Sequence, residues 1–283
     1  MDFIRITKRD NLSRKKEILI TLLAIVLSIV FAGIILLIFG LNPFEIFKEI
    51  IMGSVGTGLR VKQTIVKAVP LIITSMGIIV AFKMKFWNIG AEGQITMGAL
   101  GASWVALNLS PNLPQPVMLL LMMVGAAVCG GIWAFIPAIF KAKLGTNETI
   151  FTLMMNYVAI KFVTYLQYGP WMDPAANGFP KIAMFPDNAV MPKLGGVNIG
   201  WILAILAAAF VYFFMNYTKK GYEITVVGES IETARYAGMN ISRIIVVAML
   251  ISGGLCGITG MIQASAQSSV YYKIAKPQLQ CMG

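Results

Sequence analysis

The sequence has 283 residues, of which 58% are hydrophobic and only 12% are charged. Soluble domains carry roughly 25% charged residues, so this composition excludes a water-soluble globular protein and indicates a chain that lies in a lipid bilayer. The formal net charge of +11 would also suit a nucleic-acid-binding protein, but most Lys and Arg residues lie between apolar runs on one predicted side, as in membrane proteins.

The first apolar run follows a basic tail. Residues 1–17 are rich in Lys and Arg, and residues 18–39 contain no charge. As a helix, that run is about 33 Å long, enough to cross a hydrocarbon core of ~30 Å. Because basic flanks stay in the cytoplasm, the tail predicts a cytoplasmic N-terminus. The run is too long for a secretory signal peptide and lacks a small-residue cleavage site.

Further apolar runs predict about seven spans in all. After the first, they cover residues 63–82, 89–109, 117–140, 149–168, 199–217 and 244–264. Two connections are long, a proline-rich outer loop at residues 170–199 and a polar cytoplasmic loop at residues 218–243. The predicted fold class is therefore all-α, a polytopic transmembrane helix bundle formed by residues 18–283. Residues 267–283 are expected to trail off outside without a further helix.

Small residues recur four positions apart inside the predicted spans. Gly253 and Gly257 form a Gly-x-x-x-Gly pattern in the last span, and Gly98 and Ala102 repeat the spacing in the third. Small residues let helix backbones approach closely in membranes. The pattern predicts one compact bundle and indicates no particular function.

An unusual polar stretch opens the third span. Residues 86–101 combine several glycines with a carboxylate and amides at the mouth of an apolar helix. Polar side chains at membrane depth face protein or water, so this stretch predicts a tightly packed inner helix near a translocation path. The residues that would line the path here are Asn88, Glu92 and Gln94. The structural alternative is that Asn88 caps the span and that Glu92 pairs with Lys83 or Lys85.

A second polar cluster marks the start of the fifth span. Asn147, Glu148 and Asn156 have the spacing of cap and interface residues, and we assign them that role first. A position on the substrate path is the second interpretation, for Glu148 and Asn156.

The last cytoplasmic loop contains a short predicted helix at residues 229–240. Ser230 can cap it, Glu232 lies in its positive first turn, and Gly238 can end it. A helix this short is not stable alone in water, so it needs a surface to lie on. We expect it to dock into a separate soluble motor; packing beneath its own bundle is the alternative.

Several kinds of chemistry are excluded. The chain has no histidine and no phosphate-binding Gly-x-x-x-x-Gly-Lys-Ser/Thr loop, and it shows no carboxylate relay of the kind that proton-driven carriers use. Cys129, Cys256 and Cys281 lack metal-ligand spacing and are interpreted as small packing residues. We therefore expect no catalytic group, no metal site and no cofactor on this chain, and any energy for transport must come from another chain.

Two motifs resemble those of a known family. Residues 88–94 (Asn-Ile-Gly-Ala-Glu-Gly-Gln) resemble the signature of the ABC importer permeases that serve ribose-type sugars, branched-chain amino acids and nucleosides. Residues 228–240 resemble the cytoplasmic coupling segment of the same family, and we call them the coupling segment. Residues 147–150 and 154–157 are most similar to the nucleoside branch, whose permeases work with a substrate-binding lipoprotein.

The resemblance implies a type II importer fold with a substrate channel between two permease subunits. It implies a cytoplasmic ABC ATPase that binds ATP and Mg²⁺, a second permease subunit and an extracytoplasmic lipoprotein that delivers substrate. It also implies that ATP-driven motion reaches the bundle through the coupling segment. The residues that this role would involve are Gly228, Glu229, Glu232, Ala234, Arg235, Tyr236, Ala237 and Gly238.

The sequence therefore predicts a nucleoside-importing permease subunit in a bacterial plasma membrane, without enzymatic activity and without a nucleic-acid partner. A permease for simple sugars of the ribose or galactose type is the alternative substrate class. An ATP-independent secondary transporter is the alternative from another functional class. Members of the family continue for further helices after the seventh span, so a C-terminally truncated sequence is expected.

Overall fold

A computed structural model describes residues 13–109, 112–174, 178 and 182–280, with backbone alone for Arg14 and residues 267–280. Most of the predicted basic tail, Cys281 and the last residues lie outside the described part. The chain divides into two compact units, residues 1–61 and residues 62–283. The predicted boundary between residues 17 and 18 stays a prediction.

The described chain is almost entirely helical. Its helices are α1 (Arg14–Ile38), α2 (Pro43–Val55), α3 (Gly58–Lys83), α4 (Ala91–Asn108), α5 (Gln115–Leu144), α6 (Glu148–Tyr168), α7 (Gly200–Tyr217), α8 (Lys219–Glu229), α9 (Ile231–Tyr236) and α10 (Ile241–Gln280). The strands are β1 (Lys193–Leu194) and β2 (Val197–Asn198). The all-α prediction is confirmed.

Six of the described helices are long and apolar enough to cross a membrane. They are α1, α3, α5, α6, α7 and the part of α10 up to Ala266. The third predicted span also forms a helix, α4, but its Glu, Gln, Asn and glycine residues lower its hydropathy below that of the other six. The predicted span at residues 89–109 is therefore helical, although its hydropathy alone does not identify it as a membrane span.

The first unit contains α1 and α2. The described side chains of α1 are mostly exposed, as expected for a lipid-facing rod. The turn after α1 has Gly40 at φ 72°, and α2 begins with Pro43 after Asn42, whose side chain accepts a hydrogen bond from the backbone N–H of Phe44 at 3.1 Å. These local residues fix where α2 starts, because proline suits the first helical position and asparagine suits the cap.

The core of the second unit is built around α10, which packs against α4 and α5. The three helices meet at glycines: a Cβ atom added to Gly257 would overlap the Ala126 backbone, and one added to Gly98 would overlap Gly257. Gly253 lies equally close to Gly130. Residues of the small-residue pattern thus lie where these helices meet, since only glycine permits this backbone approach.

Helix α10 extends well beyond the predicted last span. The prediction ended that span at residue 264 and gave residues 267–283 no helix, whereas α10 runs from Ile241 to Gln280. That prediction was wrong for the backbone up to residue 280. The polar residues that follow residue 264 lower hydropathy without breaking a helix, because the first proline comes only at Pro277.

The predicted outer loop at residues 170–199 contains more structure than a loop. Residues 187–189 form a short 3₁₀ helix, and β1 and β2 form an antiparallel hairpin. Gly195 and Gly196 make its turn with φ values of 63° and 86°, as two-residue hairpin turns require. The Ser265 hydroxyl donates a hydrogen bond of 2.9 Å to the Ala189 carbonyl, which fixes the segment to α10.

Candidate functional site

The loop between α3 and α4 starts with a tight reversal. Lys85 adopts φ 58°, and the backbone N–H groups of Lys85 and Phe86 donate to the carbonyls of Phe82 and Ala81 at 2.9 and 3.2 Å. This is the bonding pattern of a Schellman motif, in which a residue after the helix takes the left-handed conformation. The reversal directs residues 86–90 back into the bundle.

Asn88 and Gln94 form a reciprocal amide pair inside the protein. The Asn88 Nδ2 donates to Gln94 Oε1 at 3.2 Å, and the Gln94 Nε2 donates to Asn88 Oδ1 at 3.1 Å. Asn88 also donates to the Ser252 hydroxyl on α10 at 3.2 Å, and its Oδ1 accepts from the backbone N–H of Gly90 at 3.1 Å. All three side chains are almost completely buried. The pair thus satisfies buried polar groups and joins the loop to α4 and α10.

Residues of α6 hold the same loop from the other side. Asn156 Oδ1 accepts a hydrogen bond from the Gly93 N–H at 2.8 Å, and its Nδ2 donates to the Ile89 carbonyl at 2.9 Å. The Thr152 hydroxyl accepts from the Ile89 N–H at 3.3 Å. Gly93 lies in the first turn of α4, where backbone N–H groups have no partner within the helix. Asn156 therefore serves as a cap for α4 that comes from another helix.

The structure places these polar residues in contacts that sequence reasoning did not predict. Asn88 was predicted to cap the third span; the cap position is Gly90, without a side-chain bond, and Asn88 bonds to that glycine. Glu92 was predicted as a partner of Lys83 or Lys85; it is exposed, and no such ion pair exists among the described side chains. Glu92 and Gln94 point in different directions because two helical positions are about 200° apart.

The start of α6 is fixed by a cap and an ion pair. The Asn147 side chain accepts hydrogen bonds from the N–H groups of Thr149 and Ile150 at 3.0 and 3.3 Å, which confirms the predicted cap. Glu148 pairs with Lys141 near the end of α5 at 2.6 Å. This pair ties the two helices together at the end of the bundle where the coupling segment also lies.

The coupling segment contains the predicted short helix. The Ser230 hydroxyl caps α9 by accepting from the Thr233 N–H at 3.2 Å, and Gly238 follows the helix with φ 72°. Ala234 is fully buried, whereas Tyr236 is 96% exposed. One face of α9 therefore packs on its own bundle, and the opposite face is open. The preceding helix, α8, was not predicted and begins with a cap from Thr218.

The coupling segment directly contacts the end of α3 and the start of the loop between α3 and α4. A Cβ atom added to Gly228 would overlap the Lys83 carbonyl at the end of α3, so the two backbones are in contact. Beside this contact lies a cavity of about 330 Å³. Its charged lining residues are Lys85, Lys141, Glu148, Glu229 and Glu232. The coupling segment is therefore in contact with the start of the loop that carries Asn88.

Sequence reasoning missed three contributors to this site. Thr152 and Ser252 each bond to a residue far away in the chain, and Lys141 pairs with Glu148 on the next helix. Thr152 and Ser252 look like ordinary small polar residues within spans, and Lys141 looks like a basic flank. A local indication was the presence of Gln94 and Asn156, two amides inside predicted spans, which in lipid must find polar partners.

The fold and site define a multi-pass membrane protein with a polar centre inside a helical bundle. The model of the family described as branched-chain amino acid transport system / permease component matches residues 60–281. The chain belongs to this family of transporter permeases. It is a transport subunit of the ABC permease type.

Three relatives show the range of the family. The glucose ABC transporter permease TsgB13 of Haloferax volcanii is 32% identical over 85% of this chain. The nucleoside ABC transporter permease NupB of Lactococcus lactis subsp. cremoris and the guanosine ABC transporter permease NupP of Bacillus subtilis are each 31% identical over 88% of it. The chain spans 66%, 71% and 72% of the length of these relatives, respectively. No solved structure matches it.

Proposed function

We propose that this chain is a permease subunit of an ABC importer that carries nucleosides inward across the plasma membrane. The observation that carries the proposal is the similarity to NupB and NupP over 88% of the chain. Residues 147–150 and 154–157, which suggested the nucleoside branch, lie at the start and in the first half of α6, and Asn156 among them holds the loop between α3 and α4. The chain itself makes and breaks no bonds of the substrate.

The partners of the proposed transporter are a cytoplasmic ABC ATPase, a second permease subunit and an extracytoplasmic lipoprotein. The exposed face of α9 offers the ATPase a docking surface with Tyr236 at its centre and the Glu232–Arg235 ion pair beside it, at 3.3 Å. ATP and Mg²⁺ would bind to the partner. In the proposed transporter, the N-terminus and the coupling segment both lie on the cytoplasmic side of the membrane.

In the proposed transporter, motion is transmitted from α9 to the loop between α3 and α4, which carries Asn88. Motion of the ATPase displaces α9, the contact between Gly228 and Lys83 transmits the displacement, and the loop moves Asn88 against Gln94 and Ser252. Because Asn156 ties this loop to α6, the same displacement reaches α6. Asn88, Glu92, Gln94, Glu148 and Asn156 are proposed to control or line the path in this way.

Glucose or a related simple sugar is the second candidate substrate. The specific observation in its favour is that the relative TsgB13, named as a glucose permease, is 32% identical to this chain. Nucleosides contain both a ribose and a base, so the two candidates differ in whether the path must accept an aromatic ring.

Uptake by the complete transporter tests the proposal. The chain is expressed together with an ABC ATPase, a second permease subunit and a substrate-binding lipoprotein in cells that lack their own nucleoside uptake, and radiolabelled guanosine, uridine and glucose are supplied in turn. We expect ATP-dependent uptake of a nucleoside that excess unlabelled nucleoside suppresses and excess glucose does not. Uptake of glucose alone would refute the nucleoside assignment, and uptake that persists without the ATPase would indicate a secondary transporter.

A further inference from the structure

Lys161 is a charged residue inside an apolar helix of this membrane protein. It lies in α6, about 20 Å from the start of the helix and about 10 Å from its end. Its side chain is exposed, and within the described part of the chain it has no hydrogen bond or ion pair. A charged group at membrane depth is stable only where it meets water or a polar partner.

The exposed face that carries Lys161 lies opposite the face that packs in the bundle. Thr152, Asn156 and Ala159 are buried against α4. The opposite stripe recurs at intervals of three and four residues, as a helix face must. Its members are Ile150, Met154, Tyr157, Lys161, Tyr165 and Tyr168.

Tyr157 adds a second polar group on this face, closer to the middle of the helix. It is 63% exposed, and its hydroxyl has no hydrogen bond among the described residues. Tyr165 and Tyr168 near the end of α6 fit the aromatic belt at a membrane surface. Tyr157 does not, because it lies roughly halfway along a helix that is about as long as the hydrocarbon core is thick.

The direction of the side chain prevents an easy escape to the membrane surface. Side chains on a helix incline toward its N-terminus, so the stem of Lys161 inclines toward Tyr157 and the bilayer centre. Lys67 on α3 is also exposed, but it lies about 14 Å from the start of a longer helix and inclines toward that nearer end. Lys67 can therefore extend its ammonium group to the surface, and Lys161 is poorly placed to do so.

We infer that the Tyr157–Lys161 face of α6 lines the water-filled substrate path and that these two side chains contact the passing nucleoside. The inference rests on the proposed function for the identity of the substrate. An ammonium group donates up to three hydrogen bonds and suits the carbonyl and ring-nitrogen acceptors of a neutral base. A tyrosine ring provides a face on which a base stacks. Both groups are reachable on one side of α6 while its other side holds the signature loop.

Substrate transport by matched lysine variants tests the contact. In the complete transporter, Lys161→Met is expected to lower nucleoside uptake about tenfold or more, as loss of a charged hydrogen bond does. Lys161→Arg retains a donor and is expected to retain most of the uptake. Lys67→Met removes another exposed charge from a span and is expected to leave uptake unchanged. Full uptake by Lys161→Met would overturn the inference.

Two variants of Tyr157 distinguish stacking of the base on the ring from hydrogen bonding to the hydroxyl. Tyr157→Phe keeps the ring and is expected to transport well, whereas Tyr157→Leu is expected to raise the nucleoside concentration needed for half-maximal uptake severalfold, because the stacking surface is gone. Equal uptake parameters for the Phe and Leu variants would contradict contact with the base.

Labelling of a cysteine tests the location without relying on transport. A membrane-impermeant thiol reagent is expected to label Lys161→Cys in the assembled transporter, above the background of the native chain, and added nucleoside is expected to slow the reaction. Leu206→Cys on α7, a 58% exposed apolar position, is the control and is expected to remain unlabelled. Equal labelling of the two cysteines, or no labelling of Lys161→Cys, would overturn the inference.

The outcomes separate this inference from the proposed function. Labelling of Lys161→Cys in a transporter that proves to carry another solute supports the path and refutes the nucleoside. Nucleoside uptake with no labelling and no effect of Lys161→Met refutes the path position alone. If Lys161→Met instead prevents the two permease subunits from copurifying, Lys161 pairs with the partner subunit and the inference is wrong.

Discussion

Asn156 on α6 caps α4 across the helix interface by accepting a hydrogen bond from the backbone N–H of Gly93 at 2.8 Å. The glycine is necessary for this contact, because a Cβ atom at Gly93 would come within 3.0 Å of the Asn156 backbone. A residue in the signature stretch and a residue of another helix thus form one unit. The polar residues at this depth hold helices together in the state that the structure shows.

Replacement of Asn156 by leucine is expected to destabilise the protein. The Gly93 N–H and the Ile89 carbonyl would both lose their partner in a buried environment, which costs about 1–3 kcal/mol per group. The melting temperature of the purified protein in detergent measures the effect. Asn216→Ala, at an exposed helix position, is the control and is expected to change little. An unchanged melting temperature for Asn156→Leu would show that the cap does not contribute to stability.

The local parts of this arrangement could be predicted from sequence, and the distant contacts could not. Ser230 and Asn147 each cap a helix that begins at the next residue, so their roles can be predicted from the neighbouring sequence. Asn156 and Gly93 are 63 positions apart, and no local pattern specifies such a contact. Because the sequence does not show the distant hydrogen-bond partner, an amide in a predicted span suggests either a helix cap or a residue that lines the substrate path.

Continuous apolar runs located most of the long helices but not all of their ends. The spans were found within a few residues because lipid requires continuous apolar runs. Helix α10 exceeds its predicted end because a helix can continue through polar residues once it has begun. Helix α8 was missed because its mixed composition resembles a loop, and it is held by packing of Gly221 against α7.

Substitution of Gly257 by alanine is expected to disrupt the helix core. The new Cβ atom would overlap the Ala126 backbone, and overpacking of this kind costs about 1–3 kcal/mol or more when backbones must separate. Gly254 lies in the same helix, with its nearest neighbour 3.7 Å from an added Cβ atom, so Gly254→Ala is the control and is expected to be tolerated. Monodisperse protein after detergent extraction is the measurement. Equal yields for the two variants would contradict the close packing.

Charge reversal or added bulk on α9 is expected to uncouple transport from ATP hydrolysis. Arg235 and Ala237 are exposed, so Arg235→Glu and Ala237→Trp alter the docking face without disturbing the core. Membrane insertion should be normal, and nucleoside uptake should fall about tenfold or more, as loss of charged or well-packed interface contacts does. Tyr222→Ala, at an exposed position on α8, is the control.

A substitution on the buried face of α9 provides a further control for the two exposed-face variants. Ala234 is fully buried beneath the same helix, so Ala234→Trp is expected to lower the melting temperature itself. If Arg235→Glu and Ala237→Trp both support normal uptake, the exposed face of α9 is not the docking surface. If they lower the melting temperature as much as Ala234→Trp does, the loss of uptake reflects misfolding.

The Lys141–Glu148 ion pair is expected to couple α5 to α6. Its side chains are 32% and 15% exposed, so solvent screens the pair in part, and we expect a coupling free energy of roughly 1 kcal/mol. A double-mutant cycle with Lys141→Met and Glu148→Gln, read out by melting temperature, measures it. The Glu232–Arg235 pair, with side chains 80% and 66% exposed, is the control and should give additive single effects. Additive effects for Lys141 and Glu148 as well would show that the pair contributes nothing to holding the helices together. A measurable coupling, with lower uptake in Glu148→Gln, would place this ion pair on the route from the coupling segment to α6.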